Sequence, residues 1–463
     1  MVVSPGRKPI RRTRNNTVPP PPTDGAAAVI ADQHDDDDDG HHRGCGDSKI
    51  WTQLAHSIAH VFAPRHRQNH TKRIHHPPLV TKPRRHLLHG CTTLQEHLAK
   101  IQATLDAVQG LHGREGLARL GFTYRWIPCE ACGGEDATGS TDAAAAAASA
   151  QSTTCRHCAQ RLVYQEADVK PTRITEHNRK DYIADGKMYE AVCRLAQEVA
   201  QECLAEVGDL EWKTVEDSTD DQRPPIRILV SRRHADKDIT AQSPNRLLVI
   251  CTGRGKVRAG IFSRFALLCT GLEIGTAFHS VQSATSADYD TIALIDPNAH
   301  GEAQGFVTFR KSLAYLRQQH DDDSTIDLLL HSASGGHYAR TLLEDDTTTT
   351  NNCPFRRVVF TDSTHNIQWM KHRPCLAAAL QDPTGVLYVR SSSSTPFPSA
   401  GTPAPTDTMW RHRFGTIPTV WAGTQHHALT NWSAHTVIWD FFHRNDEERE
   451  DTTQDGSTDA ATG

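Results

Sequence analysis

Leu328-Leu329-Leu330-His331-Ser332-Ala333-Ser334-Gly335-Gly336 sets a leucine run against a run of small residues, and its two halves call for different structures. The apolar half suits a strand buried on both faces. The small residues permit a sharp turn, and the residues beyond them read as a helix. A strand that turns abruptly into a helix lifts the residue at the turn to the edge of the sheet. Here that residue is Ser332 or Ser334, and the local pattern small-x-Ser-x-Gly centres on Ser334.

The same texture continues on either side. Short apolar runs at 226–230, 247–251, 291–295, 326–330, 358–361, 386–389 and 419–422 are each closed by Gly, Asp, Asn or Ser. Phe306, Phe309, Leu313 and Leu316 fall at helical spacing before the 326–330 run, so the connections read as βαβ crossovers in a mainly parallel sheet. The expected architecture is a three-layer α/β sandwich. Upstream, Thr93 and Glu96 form a capping box before Leu94, Leu98, Ile101, Leu105 and Val108. A second helix runs from about Lys187 to Val207, with Met188, Val192, Leu195, Val199 and Cys203 on one face. Both apolar stripes are expected to pack into the core.

Composition bounds the remainder. The chain has 463 residues with 37% hydrophobic and only 6% aromatic residues, too little for a chain folded throughout. The organisation expected is a disordered arm over 1–90, a helix plus zinc-ribbon-like hairpin over 91–175, the α/β domain over 176–443 and a disordered acidic tail over 444–463. Segment 391–408, rich in Ser, Thr and Pro, reads as a surface loop. A formal net charge of −5 excludes a protein that coats nucleic acid through its overall charge. No apolar leader follows Met1, and no window approaches the roughly 20 apolar residues of a membrane span. The expectation is a soluble intracellular protein whose twelve cysteines serve as thiols or metal ligands rather than disulfides.

Four of those cysteines carry the sharpest local signal. Cys129-x-x-Cys132 and Cys155-x-x-Cys158 are two knuckles that can present four thiolates to Zn²⁺. Four thiolates leave no open coordination position, so the metal expected is structural. Few basic residues lie between Cys129 and Cys158, and little aromatic interleaving accompanies them. Direct nucleic-acid binding by the folded domain is therefore not expected.

The second chemical signal is an order of residues. Ser332 or Ser334 follows one strand, Asp362 follows the next, and His427 follows the last, with Gly253 and Gly255 in a loop after the 247–251 run. Nucleophile, acid and histidine come in this order in α/β-hydrolases, where the histidine takes the serine proton and the acid orients the imidazole. The glycine-bearing loop can supply backbone N–H groups to an oxyanion hole.

Several unusual blocks, in one order, resemble the Argonaute-binding-protein-two domain family. They are Gly121-Phe122-Thr123-Tyr124, Gly253-x-Gly255-x-Val257-Arg258-Ala259-Gly260, Asp296-Pro297-Asn298 and His331-Ser332 with Gly335-Gly336, then Thr361-Asp362-Ser363-x-His365-Asn366 and Ala422-Gly423-Thr424-x-x-His427-x-Leu429-Thr430-x-Trp432. The resemblance spans about 121 to 442. It implies an α/β-hydrolase-like fold, Argonaute-type or chromatin partners, a nuclear location and a role in small-RNA-directed heterochromatin silencing or cotranscriptional RNA processing, with enzymatic activity in doubt. The chain departs from the family pattern by one extra residue between serine and glycine pair, by Gln425 where an acid is usual, and by Thr252-Gly253 in place of His-Gly.

Overall fold

The structure, a computed structural model, describes residues 93–129, 132, 155–165, 170–183, 186–216, 225–231, 245–287, 289–320, 324–344 and 355–444. The arm expected over 1–90, the alanine-rich spacer between the cysteine pairs and, beyond Arg444, the expected tail lie outside these residues. Three strands, β1 (Phe122–Ile127), β2 (Ala159–Tyr164) and β3 (Thr172–Arg173), form a small antiparallel sheet. The remaining strands are β4 (Leu210–Glu216), β5 (Ile226–Ser231), β6 (Arg246–Cys251), β7 (Thr291–Ile295), β8 (Thr325–His331), β9 (Arg357–Thr361), β10 (Val386–Arg390) and β11 (Thr419–Trp421).

These eight make one sheet in the order β4-β5-β7-β6-β8-β9-β10-β11. Chain order is kept except that β6 and β7 are exchanged, and β5 alone runs antiparallel to both its neighbours; every pairing from β7 to β11 is parallel. This is the α/β-hydrolase strand order, and the fold is α/β-hydrolase-like.

The period of two along each strand builds the layers. Leu248, Ile250 and Leu329 face one core, while Leu247, Val249, Leu328 and Leu330 face another. Of the described helices, α1 (Leu94–Asp106) and α2 (Gly113–Arg119) precede β1; α3 (Lys187–Gly208) precedes β4, α4 (Phe278–Ser286) precedes β7, α5 (Gly305–Gln318) precedes β8, α6 (Ala333–Glu344) follows it, and α7 (His435–Phe442) follows β11. The first core receives Val192, Leu195 and Val199 of α3, Val281 of α4 and Phe441 of α7; the second receives Phe309 and Leu313 of α5 and Tyr338 and Leu342 of α6. A sheet covered on both faces explains why its strands read as continuous apolar runs.

Two features differ from the sequence expectation. The stripe of α1 is not core: Leu94 and Leu98 are 73% and 56% exposed and no residue of α1 is buried, although Thr93 and Glu96 do form the reciprocal capping box. The helix touches the core only at its end, through Leu105 and the buried Val108 just beyond it. Strand β4 carries no apolar run, because Leu210, Trp212 and Val215 are separated by polar residues at the sheet edge and Trp212 lies 39% exposed. At the other edge, part of the 391–408 segment covers β11: the amides of Gly401 and Ala404 donate to Trp421 and Thr419, and that of Trp421 donates to Thr402. Such cover blunts an otherwise open row of backbone groups.

Candidate functional site

The chain passes from β8 into α6 through a single residue. Ser332 sits there at φ 53°, a left-handed conformation that costs a residue with a side chain on the order of 1 kcal/mol or more. It is held by neighbours on the following strand and loop. The Ser332 N–H donates to the Thr361 carbonyl (2.9 Å), and its own carbonyl accepts from the N–H groups of Thr364 (3.2 Å) and Gly335 (3.3 Å). The glycine pair is what lets that loop come close: a Cβ on Gly335 would lie 1.9 Å from Ser363 Oγ, and one on Gly336 3.0 Å from Thr364 Oγ1.

The two candidate serines stand in different surroundings. Ser334 lies inside α6 with no exposure, and its hydroxyl donates to the carbonyl of His331 (2.7 Å), with that of Cys251 at 3.2 Å. Ser332 faces the loop after β6 instead. A Cβ on Gly253 would lie 3.0 Å from Ser332 Cβ and 3.5 Å from its Oγ, so the glycine leaves room directly beside the hydroxyl. Asn298 pins this loop, donating from Nδ2 to the carbonyls of Gly253 (2.9 Å) and Val257 (3.0 Å). Gly255, at φ 116°, borders open space.

Asp362 follows β9, also left-handed at φ 44°. Its carboxylate is fully engaged. One oxygen accepts from the Ser391 N–H (2.9 Å); the other accepts from His427 Nδ1 (3.0 Å) and Thr430 Oγ1 (2.8 Å). Burial pushes this carboxyl up, but the bond and charge of the His427 imidazole, the Ser391 amide and the Thr430 hydroxyl outweigh it and hold the group below the usual carboxylate range. With Nδ1 donating to a carboxylate, His427 keeps Nε2 as its proton acceptor. The His427 side chain is 30% exposed, so a proton can reach it from solvent.

Neighbouring residues complete this arrangement. The His331 ring, buried, stacks on His427 at 4.5 Å between centroids and 25° between planes. His331 Nδ1 is in turn 3.0 Å from Thr361 Oγ1 and 3.2 Å from Asn431 Nδ2. One short helical turn therefore carries Thr430 to Asp362 and Asn431 to His331. No motif marks such residues; Thr430 could have been found only by its place in the block around His427. Gln425 donates to Ser394 O (2.9 Å) and Thr395 Oγ1 (2.7 Å), and Asp362 is the carboxylate on the imidazole. His365 is a different case: it is buried, shares a 2.8 Å hydrogen bond with Ser363 Oγ and stacks on Phe360 at 4.0 Å. Burial, with Arg413 nearby, pushes its pKa down to about 3, so it is a neutral packing residue. A separate cavity of about 330 Å³ is lined by Glu190, Arg194, Lys256, Arg258 and Arg264 among others, with Ser332, Asp362 and His427 not in its lining.

The cysteine cluster closes the open end of the small sheet. Ile127 of β1 pairs with Ala159 of β2, so Cys129 leaves one strand where Cys158 enters the other. Each pair forms a turn in which the N–H of the second cysteine donates to the carbonyl of the first, at 3.0 Å for Cys132 and 3.1 Å for Cys158. The four Sγ atoms of Cys129, Cys132, Cys155 and Cys158 all lie within 4.8 Å of one another. Thiolates about 2.3 Å from a tetrahedral ion sit roughly 3.8 Å apart, so this donor set is within about 1 Å of the spacing a metal ion requires.

No family model matches the chain. It is similar to the protein ARB2BP of Homo sapiens, 27% identical over 130 residues, which is 27% of this chain and 34% of that protein. The chain thus matches about a third of that relative's length, and the similarity supports the resemblance to the Argonaute-binding-protein-two domain family. Among solved structures, the chain matches a histone deacetylase from Saccharomyces cerevisiae at 10% identity and TM-score 0.33 over 54% of this chain and 96% of that one. A truncated carbohydrate esterase from gut microbiota matches at 12% identity and TM-score 0.28 over 50% and 95%. An arylesterase matches at 13% identity and TM-score 0.24 over 55% and 95%.

Proposed function

We propose that this protein is a regulatory protein of Argonaute-binding type, whose α/β-hydrolase-like domain engages an Argonaute or chromatin protein in the nucleus and acts in small-RNA-directed silencing or cotranscriptional RNA processing. The reading is supported by the set of sequence blocks shared with the Argonaute-binding-protein-two domain family, together with the similarity to ARB2BP. Affinity capture of the full chain from nuclei tests it: Argonaute or chromatin proteins should be recovered with the wild-type chain, and their absence from repeated captures overturns it.

A second reading has an observation of its own, the contact of Asp362 with His427, whose ring stacks on His331, the chain neighbour of the strained Ser332. In this reading the domain is a serine hydrolase of an ester, thioester or amide. Ser332 Oγ attacks the carbonyl carbon as His427 Nε2 takes its proton, and Asp362 holds the imidazole and stabilises its charged form. The developing oxyanion is met by the N–H of Ala333 and by the backbone of the Gly253 loop. His427 then returns the proton to the leaving group, and water releases the acyl group by the reverse sequence. The four cysteines hold Zn²⁺ as a structural ion in both readings. A fluorophosphonate probe applied to folded protein separates them: labelling that Ser332→Ala abolishes supports hydrolysis, and no labelling of the wild type leaves the domain as a binding scaffold.

A further inference from the structure

We infer that metal binding at the cysteine cluster sets the position of His427, so that the small antiparallel sheet acts as a metal-dependent brace for the hydrolase-like site. The inference rests on the serine-hydrolase reading of that site, with Zn²⁺ as the ion. Its basis is the loop of the second knuckle. Between Cys155 and Cys158, the carbonyl of Arg156 accepts a hydrogen bond from Trp432 Nε1 at 3.3 Å, and the His157 ring meets the Trp432 ring edge-on at 5.1 Å. The Arg156 guanidinium lies over the same indole at 5.8 Å and reaches Thr436 Oγ1 at 3.5 Å.

Trp432 belongs to the turn Thr430–Ser433, directly after the His427–Leu429 turn. That turn is gripped from both sides. On its sheet side Thr430 bonds Asp362 and Asn431 bonds His331; on its outer side Trp432 bonds the knuckle. A two-residue loop closed by Cys155 and Cys158 has one conformation while both thiolates share an ion. Without the ion, the cluster is left with weak links, the Cys129 N–H on Cys158 Sγ at 3.3 Å, the Cys129 and Cys155 sulfurs at 3.4 Å and the Cys158 N–H on the Cys155 carbonyl at 3.1 Å, and the acceptor offered to Trp432 is free to move with the loop. Trp432 and Arg156 are positioning residues in this scheme, since each acts on His427 through the turn that carries it. Supporting groups outside a metal's ligands commonly alter activity by about 10- to 100-fold, and a displacement of about 1 Å at a reacting group has an effect of similar size.

The test uses the full chain, loaded with zinc and then stripped with a chelator, read by hydrogen exchange and by fluorophosphonate labelling of Ser332. On stripping, amides across 427–436 should exchange at least about tenfold faster while those of β6 and β8 hold their protection, and labelling should slow by roughly 10-fold or more. Trp432→Phe, which keeps the ring but removes the N–H, should slow labelling in the zinc-loaded chain without releasing the metal. Unchanged exchange across 427–436 after the metal is lost overturns the inference, as does wild-type labelling by Trp432→Phe. If wild-type Ser332 never labels, the hydrolase reading fails by itself, and the exchange measurement still decides whether the brace exists.

Discussion

Two aspartates, one buried and one half-buried, at opposite ends of the same parallel strands, show how differently this sheet uses a carboxylate. Asp327 lies near the start of β8 and pairs in register with Arg357 at the start of β9; Asp362 follows the end of β9. The first is surrounded by permanent charge: Arg356 donates to both its oxygens, at 3.0 and 2.5 Å, the Tyr289 hydroxyl donates at 2.7 Å, and Arg246 lies 3.9 Å away. Arg356 and Arg357 continue to the carbonyl of Phe442, tying the end of α7 to the sheet. Asp362 instead meets a titratable imidazole, a hydroxyl and one amide. A carboxylate locked among arginines can only hold structure. One that faces a partly exposed histidine can also stabilise a proton in transit.

The same substitution in both places sharpens this contrast, and the largest effect is expected at Asp362. Asp362→Asn keeps size and shape, and asparagine tolerates the left-handed backbone. It removes the charge that fixes the imidazole's tautomer, a loss on the order of 10⁴ in rate where such a triad is active. Fluorophosphonate labelling should fall by several powers of ten while thermal unfolding changes little. A labelling rate within about tenfold of wild type would remove Asp362 from the chemistry.

Asp327→Asn should behave in the opposite way. It leaves Arg356, 14% exposed at its side chain, without its counter-charge, and breaking a buried pair from one side costs about 3 kcal/mol or more. For a folded region of this size that lowers Tm by roughly 6 °C or more. Labelling of whatever fraction stays folded should match wild type. If instead Asp327→Asn is as stable as wild type, the arginine network is not what secures α7 to the sheet.

The sequence carries these two regions unequally. The strand runs, the elbow and the cysteine pairs are readable because each is a local pattern: an apolar run, a group of small residues, a fixed spacing. Edge strand β4 is not, since a half-solvated strand carrying Trp212 and Lys213 has no apolar run to betray it. The stripe of α1 misleads for the converse reason, because spacing gives a face but not the surface that packs against it. The partners of the site are more distant still. Thr430 meets Asp362 across 68 residues of chain, and Asn431 meets His331 across 100. Nothing in a short window specifies those meetings; the strand order that brings the ends of β8, β9 and β11 to one edge does.

The smallest expected effect decides between the two serines. Ser334 donates to two carbonyls inside the turn of β8 into α6, so its hydroxyl links the end of β6 to the end of β8 beneath Ser332. Removing it in Ser334→Ala deletes one hydroxyl donor, a cost of about 1 kcal/mol. Because Ser334 is fully enclosed where Ser332 keeps 5% exposure, and because its proton is committed to the His331 and Cys251 carbonyls, the variant should label with fluorophosphonate within a fewfold of wild type, where Ser332→Ala should not label at all. The reverse result, labelling that survives loss of Ser332 and vanishes with Ser334, would require α6 to unwind its first turn to expose the second serine. The glycine pair makes that costly: Gly335 and Gly336 are packed against Ser363 and Thr364, and Ser332 is bonded to Thr361 and Thr364, so unwinding would also release the loop that carries Asp362.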